Sequence, residues 1–492
     1  MRIIQNEQII IGEVSVKDIK LDPKSRDDIP QILKGLQYIY SNEEIREKVF
    51  ALLEQLIPAN INRKNGRPGM QLWRIFVLGV LRLNLDLNYD RLHDTANNHK
   101  TIRAMLGHPE FDEYYYQLQT IEDNIKLFTP EILDKINQVV IEAGHGLIKK
   151  KEIGLRSRCD TFVVKTNVHF PTDINLLFDA MRKAIELTGK LCERHDISTW
   201  RQYRYNINRI KRLYRYAQSS KHGGIRTEEQ KQKREKNIRD KHQEYIDLSL
   251  RYIEKINQTI EVIAKTKTLS TIDRATLANI DSYVQHAFRQ IDQIRRRVIQ
   301  KEIIPHNEKV FSLFEPHTEW ICKNKLGIPV ELGLKVCIVE DEHQFILHHK
   351  VMRKQSDDKV AVTIAREAKL RYPNLYSVSY DRGFFTKENR EVLGAMLNVA
   401  LPKKGRLSKQ DQDIESSDKY ITAKKKHSAV ESAINALDVH GLDKCPDHRL
   451  TGFERYVALA IVARNLQRLG AIIHKKDQRL LVLRERRLKK AA

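Results

Sequence analysis

A strand-like segment between two long helical regions constrains the fold of this 492-residue chain more than any other feature. Residues 156–170, "RSRCDTFVVKTNVHF", alternate in the manner of a strand, whereas residues 31–150 and 174–305 show the three- and four-residue apolar spacing of helices. A strand needs partners, and the next strand-like segments come only after residue 306. We therefore expect a sheet whose first strand is separated from the others by a helical insertion.

After residue 306, strand and helix patterns alternate. The segments "KVFSLF", "TEWICK", "ELGLKVCIVE" and "QFILHHKVM" predict an antiparallel meander. The helical "SDDKVAVTIAREAKLRY" then leads to the strand "NLYSVSY", and helices at 386–396 and 427–438 flank a short strand "NVALP" and a polar, lysine-rich loop at 402–426. The apolar helix "FERYVALAIVARNLQRLGAII" is expected to close the core. This order predicts an α/β domain with a mixed sheet.

These patterns divide the chain into five parts. They are an N-terminal arm (1–30), a helical domain (31–150), an α/β domain in two pieces (151–173 and 306–475), a basic insertion with coiled-coil-like spacing (174–305) and a basic tail (476–492). Within the helical domain, residues 88–107, "NYDRLHDTANNHKTIRAMLG", have the pattern helix, polar turn, helix. That pattern fits a helix-turn-helix with Lys100 and Arg103 near the start of the recognition helix, and it fits an ordinary helical corner equally well.

Positive charge is the strongest signal in the composition. The chain has 87 Lys and Arg against 64 Asp and Glu, a net charge of +23, which favours a polyanionic partner such as DNA. Residues 201–240 hold 13 basic against 4 acidic residues, with tyrosines interleaved, so Arg209 and Arg212, together with Arg295 further on, are candidate DNA contacts. A solvated helix face is the alternative. The sequence has no apolar run of membrane length and no secretory signal, and its five cysteines are scattered. These features predict a cytosolic protein without a membrane partner.

Three acidic residues fall at positions suited to a metal site. Asp160 lies near the start of the first strand, Asp381 follows the strand "NLYSVSY", and Glu431 shares one face of helix 427–438 with His427. The competing acids have ordinary explanations: Glu340, Asp341 and Glu342 as turn formers, and Asp173, Asp357 and Asp358 as helix caps. His440, Cys445 and His448 lack a fourth zinc ligand, which favours a loop.

Six segments in this order resemble the DDE transposases of bacterial insertion sequences, most closely the ISNCY type. They are "CDTFVVKTNVHFPTD", "FEPHTEW", "YDRGF", "LPKKG", "HSAVESAIN" and "FERYVALAIVARNLQRLG". The resemblance covers nearly the whole chain, since "MQLWRIFVLGVLRLNLDLNYDRL" is similar to the helical DNA-binding domain of those enzymes. It implies an RNase H-like mixed five-stranded sheet flanked by helices. In that fold Asp160, Asp381 and Glu431 would bind two Mg²⁺ ions, for which Mn²⁺ can substitute.

The activity implied by the resemblance is cleavage at the ends of a mobile element and joining of the freed 3′-OH to target DNA, by a homodimer on paired ends in the bacterial nucleoid. Related families often carry an arginine four residues before the glutamate and a lysine seven after, where this chain has His427 and Asp438. Lys403, Lys404, Lys425 and His427 are therefore the local candidates for DNA contact. The insertion departs in position from better-known relatives. Two other interpretations remain: a decayed transposase acting as a DNA-binding repressor, and an RNase H-like nuclease without strand transfer.

Overall fold

The computed structural model describes residues 2–5, 10–58, 68–148, 154–220, 227–322 and 329–491, with side chains to residue 488. They divide into two compact units, unit 1 with residues 1–167 and 321–492, and unit 2 with residues 168–320. The predicted domain boundary at residue 150 falls in 149–153, outside the described residues. Unit 1 contains the N-terminal helices and nearly all of the sheet, and the described part of unit 2 is mainly helical up to about residue 300.

The first part of unit 1 is a set of seven helices. Their bounds are α1 Ile29–Ser41, α2 Glu43–Glu54, α3 Leu72–Asn84, α4 Tyr89–Asn98, α5 Lys100–Met105, α6 Leu118–Ile125 and α7 Pro130–Gly146. Helix α3 is buried at nearly every position, as its continuous apolar sequence predicts, and Trp73 and Phe76 anchor it in the core.

A mixed sheet of seven strands forms the second part of unit 1. The strands are β1 Leu155–Thr166, β2 Glu319–Cys322, β3 Val330–Asp341, β4 Ile346–Met352, β5 Leu375–Tyr380, β6 Asn398–Ala400 and β7 Lys444–Cys445. Strand β3 is antiparallel to both β1 and β4, whereas β5 is parallel to β1 and β6 is parallel to β5. The sheet is larger than the expected five strands because the short β2 and β7 pair with β3 and β1.

Six helices follow β4 and flank the sheet. They are α12 Asp357–Arg371, α13 Lys387–Met396, α14 Lys409–Ser416, α15 Asp418–His427, α16 Ala429–Leu437 and α17 Arg449–Ala491. Helix α12 packs on one face, where the Tyr380 hydroxyl donates to the Ala361 carbonyl at 3.0 Å. The end of α15 packs on the other face, where Arg158 donates to the Lys426 carbonyl at 3.1 Å.

Helix α17 closes the core of unit 1. Its segment Arg449–Leu488 is long and apolar enough to cross a membrane, but 72% of the apolar window is buried inside the protein. Helices α17 and α1 cross at glycines, because a Cβ on Gly470 would lie 1.8 Å from the carbonyl oxygen of Gln31. The helix is therefore a core element, consistent with a soluble protein.

Several local predictions differ from the structure. "KVFSLF" forms no strand, because the Ser312 hydroxyl accepts hydrogen bonds from the backbone N–H groups of Phe314 and Glu315 and turns the chain. The lysine-rich segment 402–426 is not a loop but contains α14, started by a capping box of Ser408 and Asp411, and most of α15. The segment after α16 is not wholly a loop, since β7 pairs with β1.

Among its described residues, unit 2 has four α-helices: α8 Asp173–Arg194, α9 Tyr203–Ser219, α10 Glu228–Thr266 and α11 Thr271–Ile294. Thr172, rather than the predicted Asp173, caps α8 by accepting from the Asn175 N–H at 3.3 Å, and Asp173 instead forms an ion pair with Arg297. Buried isoleucines at the predicted coiled-coil spacing, including Ile253 and Ile256, lie in the core of this unit.

Candidate functional site

The pairing of β1 with β5 brings Asp160 and Asp381 to neighbouring positions. The two strands are parallel with Cys159 opposite Tyr380, so the next residue on each is an aspartate. Neighbouring strands lie about 4.8 Å apart, and residues at paired positions project from the same face. Asp160 is partly buried within the long β1, whereas Asp381 follows the last residue of β5 and is exposed.

The electrostatics of Asp160 show which other acids are close. Burial raises the pKa of Asp160 to about 6, and the negative charges of Asp381, Asp357 and Glu431 add to the shift. The N–H of Thr161 opposes it by donating to Asp160 Oδ1 at 2.7 Å. Asp381 and Glu431, the other two acids singled out in the sequence, therefore lie within electrostatic reach of Asp160, and so does Asp357.

Glu431 reaches this group from the first turn of α16. Val430, Ala433 and Leu437 are buried and fix the helix against the protein, and α16 packs against β1. Glu431 itself is exposed on the adjoining side of the helix. Ala433, a small residue on the buried side of α16, lies where the helix packs against the protein.

Asp357 is the residue that sequence reasoning missed. Ser356 occupies the cap position of α12, and Asp357 in the first turn accepts hydrogen bonds from Thr161 Oγ1 at 3.1 Å and Lys335 Nζ at 3.0 Å. A Cβ on Gly383 would lie 3.3 Å from Asp357 Oδ2 and 3.9 Å from Asp381 Oδ2, so this carboxylate borders the loop after β5. An acid in the first turn of a helix is too common to signal a site by itself.

The acids at the end of β3 have other partners. Glu340 accepts a hydrogen bond from Arg158 Nε at 2.6 Å, although burial raises the Glu340 pKa to about 7 against the pull of that arginine. Asp341 is completely buried and accepts from His145 Nε2 at 2.6 Å and from the N–H groups of His343 and Phe345. Glu340 is a strand residue rather than the predicted turn former. Asp341 ends β3 and forms the turn to β4 as predicted, because its side chain accepts from backbone N–H groups two and four residues further on.

Two of the candidate DNA contacts lie beside the carboxylates. Lys404 Nζ donates to the carbonyl of Gly383 at 2.9 Å, two residues beyond Asp381. His427 Nδ1 lies 3.2 Å from Ser379 Oγ, and burial lowers the His427 pKa while Asp381 and Glu431 oppose that shift. Lys425 is exposed in the last turn of α15, whereas Lys403 is held by Asp411 at 2.5 Å.

The remaining candidates lie elsewhere. Lys100 pairs with Glu110 at 2.5 Å, and Arg103 donates to the carbonyls of Asp112 and Tyr114 at 2.7 and 3.0 Å, so both hold the loop after α5. Only His99 separates α4 from α5, and α5 has six residues. Arg209, Arg212 and Arg295 are exposed in unit 2.

These carboxylates have the ligand chemistry that a hard cation such as Mg²⁺ requires, but their side chains are too far apart to bind one together. Across the described ranges, no three Asp, Glu, His or Cys side chains stand close enough to hold a metal ion as a group. Carboxylate oxygens are nevertheless the ligands that Mg²⁺ prefers. A cation would offset both the burial that raises the Asp160 pKa and the smaller repulsion from the neighbouring acids. Asp381 and Glu431 are exposed, so packing does not prevent their side chains from rotating inward.

No protein-family model, no curated protein and no solved structure matches this chain.

Proposed function

We propose that this protein is a metal-dependent DNA transposase of the DDE type, with an RNase H-like catalytic domain. It would bind the terminal repeats of its element, cleave at the element ends and join the 3′-OH to target DNA. The observation that carries the proposal is the register of β1 and β5, which makes Asp160 and Asp381 neighbours with Glu431 in electrostatic reach. The five strands β4-β3-β1-β5-β6 and their flanking helices support the expected type of sheet.

Asp160, Asp381 and Glu431 would hold the two ions, Mg²⁺ or Mn²⁺. Bound there, such ions supply positive charge that activates the attacking oxygen and neutralises the leaving oxygen of a phosphodiester. The chain itself fixes Asp160 through β1 and the Thr161 N–H. Asp381 and Glu431 are exposed, which suits a polymeric substrate that no closed cavity could admit.

Positive charge next to the carboxylates would bind the phosphates on either side of the cleaved bond. Lys424, Lys425 and Lys426 lie in the last turn of α15, shortly before Glu431 in the sequence, and Lys404 contacts the loop after Asp381. Arg158 anchors the Lys426 carbonyl at 3.1 Å and so fixes the end of α15. These lysines can take the place of the arginine that related families carry before the glutamate. A homodimer on paired ends, in the cytoplasm, follows from the same proposal.

Cleavage of end-labelled DNA carrying the element's terminal repeats, with Mg²⁺, tests the proposal. Asp381→Asn should abolish cleavage and leave DNA affinity nearly unchanged, because it removes a metal ligand and no phosphate contact. Asp160→Asn and Glu431→Gln should behave alike. The matched control is Asp413→Asn, an exposed aspartate on α14, which should cleave like the wild type. Normal cleavage by Asp381→Asn would refute the assignment of the site.

The open spacing of the carboxylates is the observation that favours the repressor alternative. A repressor would bind terminal-repeat DNA and produce no nick with either Mg²⁺ or Mn²⁺. A nuclease without strand transfer would cleave the same DNA but yield no joined products with a supercoiled target. The same assay therefore separates all three functions.

A further inference from the structure

Helix α9 in unit 2 has an outer face of unusual composition. Its 17 residues include five cationic residues and no acid. Tyr203, Ile210 and Ala217 are buried on the inner side. Four arginines are exposed: Arg204, Arg209, Arg212 and Arg215. At about 100° and 1.5 Å per residue, they fall within an arc of about 140° and span about 16 Å along the helix.

None of these arginines forms a salt bridge with an acid among the described residues, although the negative charge of Glu193 acts on Arg204 from a greater distance. In the part of the chain that the structure describes, no carboxylate forms a salt bridge with a cation of α9, whereas elsewhere in unit 2 Lys183 and Lys190 pair with Glu186, and Lys301 pairs with Glu235. The arginine contacts found are with tyrosines: Arg204 Nε donates to the Tyr203 hydroxyl at 3.4 Å. An ordinary solvated face mixes both signs of charge, so this face is of another kind.

The structure also separates the four tyrosines of α9 into two roles. Tyr203 is buried, and Tyr214 stacks on Phe178 with ring centroids 5.1 Å apart and donates to Asn175 at 2.9 Å. Tyr205 and Tyr216 are 60% and 49% exposed and lie among the arginines. Exposed tyrosines can donate to phosphates and stack on bases.

A cavity of about 650 Å³ continues this face between the end of α9 and the first half of α10. Tyr216, Ser219, Lys233, Asn237 and Lys241 are among the residues that line it. None of the described lining residues is acidic, although Lys241 also contacts Glu244 at 3.0 Å. Cations, hydroxyls and amides facing one cavity suit an anionic ligand.

We propose that the outer face of α9 and the adjoining cavity bind the sugar-phosphate backbone of double-stranded DNA without regard to base sequence. This inference rests on the proposed function, and it identifies the surface of unit 2 that contacts the DNA. Arginines on an exposed face at this spacing supply affinity and position, whereas sequence is read by contacts to base edges. An anionic membrane is disfavoured, because the only large apolar side chains exposed on α9 among the described residues are the two tyrosines.

Salt-dependent DNA binding tests the inference with the full-length chain. The test variant combines Arg204→Gln, Arg209→Gln, Arg212→Gln and Arg215→Gln, and the control removes the same charge at cations that already have acidic partners: Lys183→Gln, Lys190→Gln, Lys231→Gln and Lys301→Gln. Fluorescence anisotropy measures Kd for two duplexes of about 30 bp, one of random sequence and one carrying the terminal repeat. The measurement is repeated at salt concentrations from about 50 to 300 mM. The test variant should raise Kd at least about tenfold on both duplexes. It should also reduce the slope of log Kd against log salt concentration by about 3 to 4. The control should change both far less.

Arg212→Gln alone covers the case in which the combined variant does not fold, and it should reduce the slope by about 1. If the arginine variant binds like its control, the inference is overturned while cleavage by the wild type still supports the proposed function. A loss confined to terminal-repeat DNA would mean that α9 reads sequence, which also overturns it. A wild type that binds anionic vesicles and no duplex would refute both proposals.

Discussion

Replacing Asp160 by asparagine should make the metal-free protein more stable, although it removes a proposed metal ligand. The wild-type carboxylate is partly buried and faces the negative charges of Asp381, Asp357 and Glu431. Asparagine keeps an oxygen that can accept the Thr161 N–H, which lies 2.7 Å from Asp160 Oδ1, and it carries no charge. Function and stability therefore oppose each other at this position.

The pKa of Asp160 gives the size and the pH dependence of the effect. A rise from the usual 3.8 to about 6 corresponds to about 3 kcal/mol at most, which partial exposure reduces to about 1–2 kcal/mol. Because a raised carboxyl pKa favours the protonated form, the folded wild type loses stability as pH rises from about 4 to about 6. The advantage of Asp160→Asn should be absent near pH 4 and complete above pH 6.

Urea unfolding of the full-length chain in EDTA, followed by circular dichroism from pH 4 to 8, measures this difference. Asp358→Asn is the matched control in the first turn of α12, where a hydrogen bond from Ser356 lowers the Asp358 pKa, so its removal should cost stability at neutral pH. Added Mg²⁺ should stabilise the wild type more than Asp160→Asn. A variant less stable than the wild type at pH 7.5, or a difference that does not change with pH, would show that the carboxylates do not repel one another as inferred.

Two further predictions concern stability alone. His108 is buried against Asp112 and Tyr116, and burial lowers its pKa to about 4. The free energy of unfolding should therefore fall by up to about 3 kcal/mol as pH drops from 6.5 to 4. If His108→Gln showed the same loss of unfolding free energy over this pH range, the prediction would be wrong. Gly470→Ala should greatly lower the melting temperature, because its Cβ would lie 1.8 Å from the Gln31 carbonyl oxygen and force α1 from α17. Gly394→Ala on α13, with no atom within 4 Å of the new Cβ, should instead stabilise by about 0.5–1 kcal/mol, and similar melting shifts for the two would refute the packing argument.

The local patterns of the sequence predicted most strands but not their neighbours. Alternation marked β1, and the Pro-Asn and Gly boundaries marked β5, because those signals are local. The pairing of Cys159 with Tyr380 is a property of the folded sheet, and it decides that Asp160 and Asp381 are adjacent. The joint role of Asp160, Asp381 and Glu431 stays a prediction, because the sheet register places only the two aspartates at neighbouring positions.

Other features lay beyond a sequence-based prediction for physical reasons. Asp357 looks like an ordinary first-turn acid until the fold brings Thr161 and Lys335 to it. The lysine-rich segment before Glu431 looked like a loop, because its helices depend on a capping box and on the packing of Tyr420 more than on an apolar stripe. Likewise, composition could not separate the inward Tyr214 from the outward Tyr216, which lie two residues apart on α9.

The position of unit 2 in the chain has a consequence for biosynthesis. Cys159 of β1 meets Cys337 of β3 across 178 residues, and Arg158 meets Lys426 across 268. At a translation rate of about 5–20 residues per second, Glu431 is synthesised on the order of tens of seconds after Asp160. Unit 2 is one continuous stretch of chain, residues 168–320, with a hydrophobic core of its own, so it can fold during that interval. A polypeptide truncated before β5 would therefore carry the basic helix α9 but lack Asp381 and Glu431.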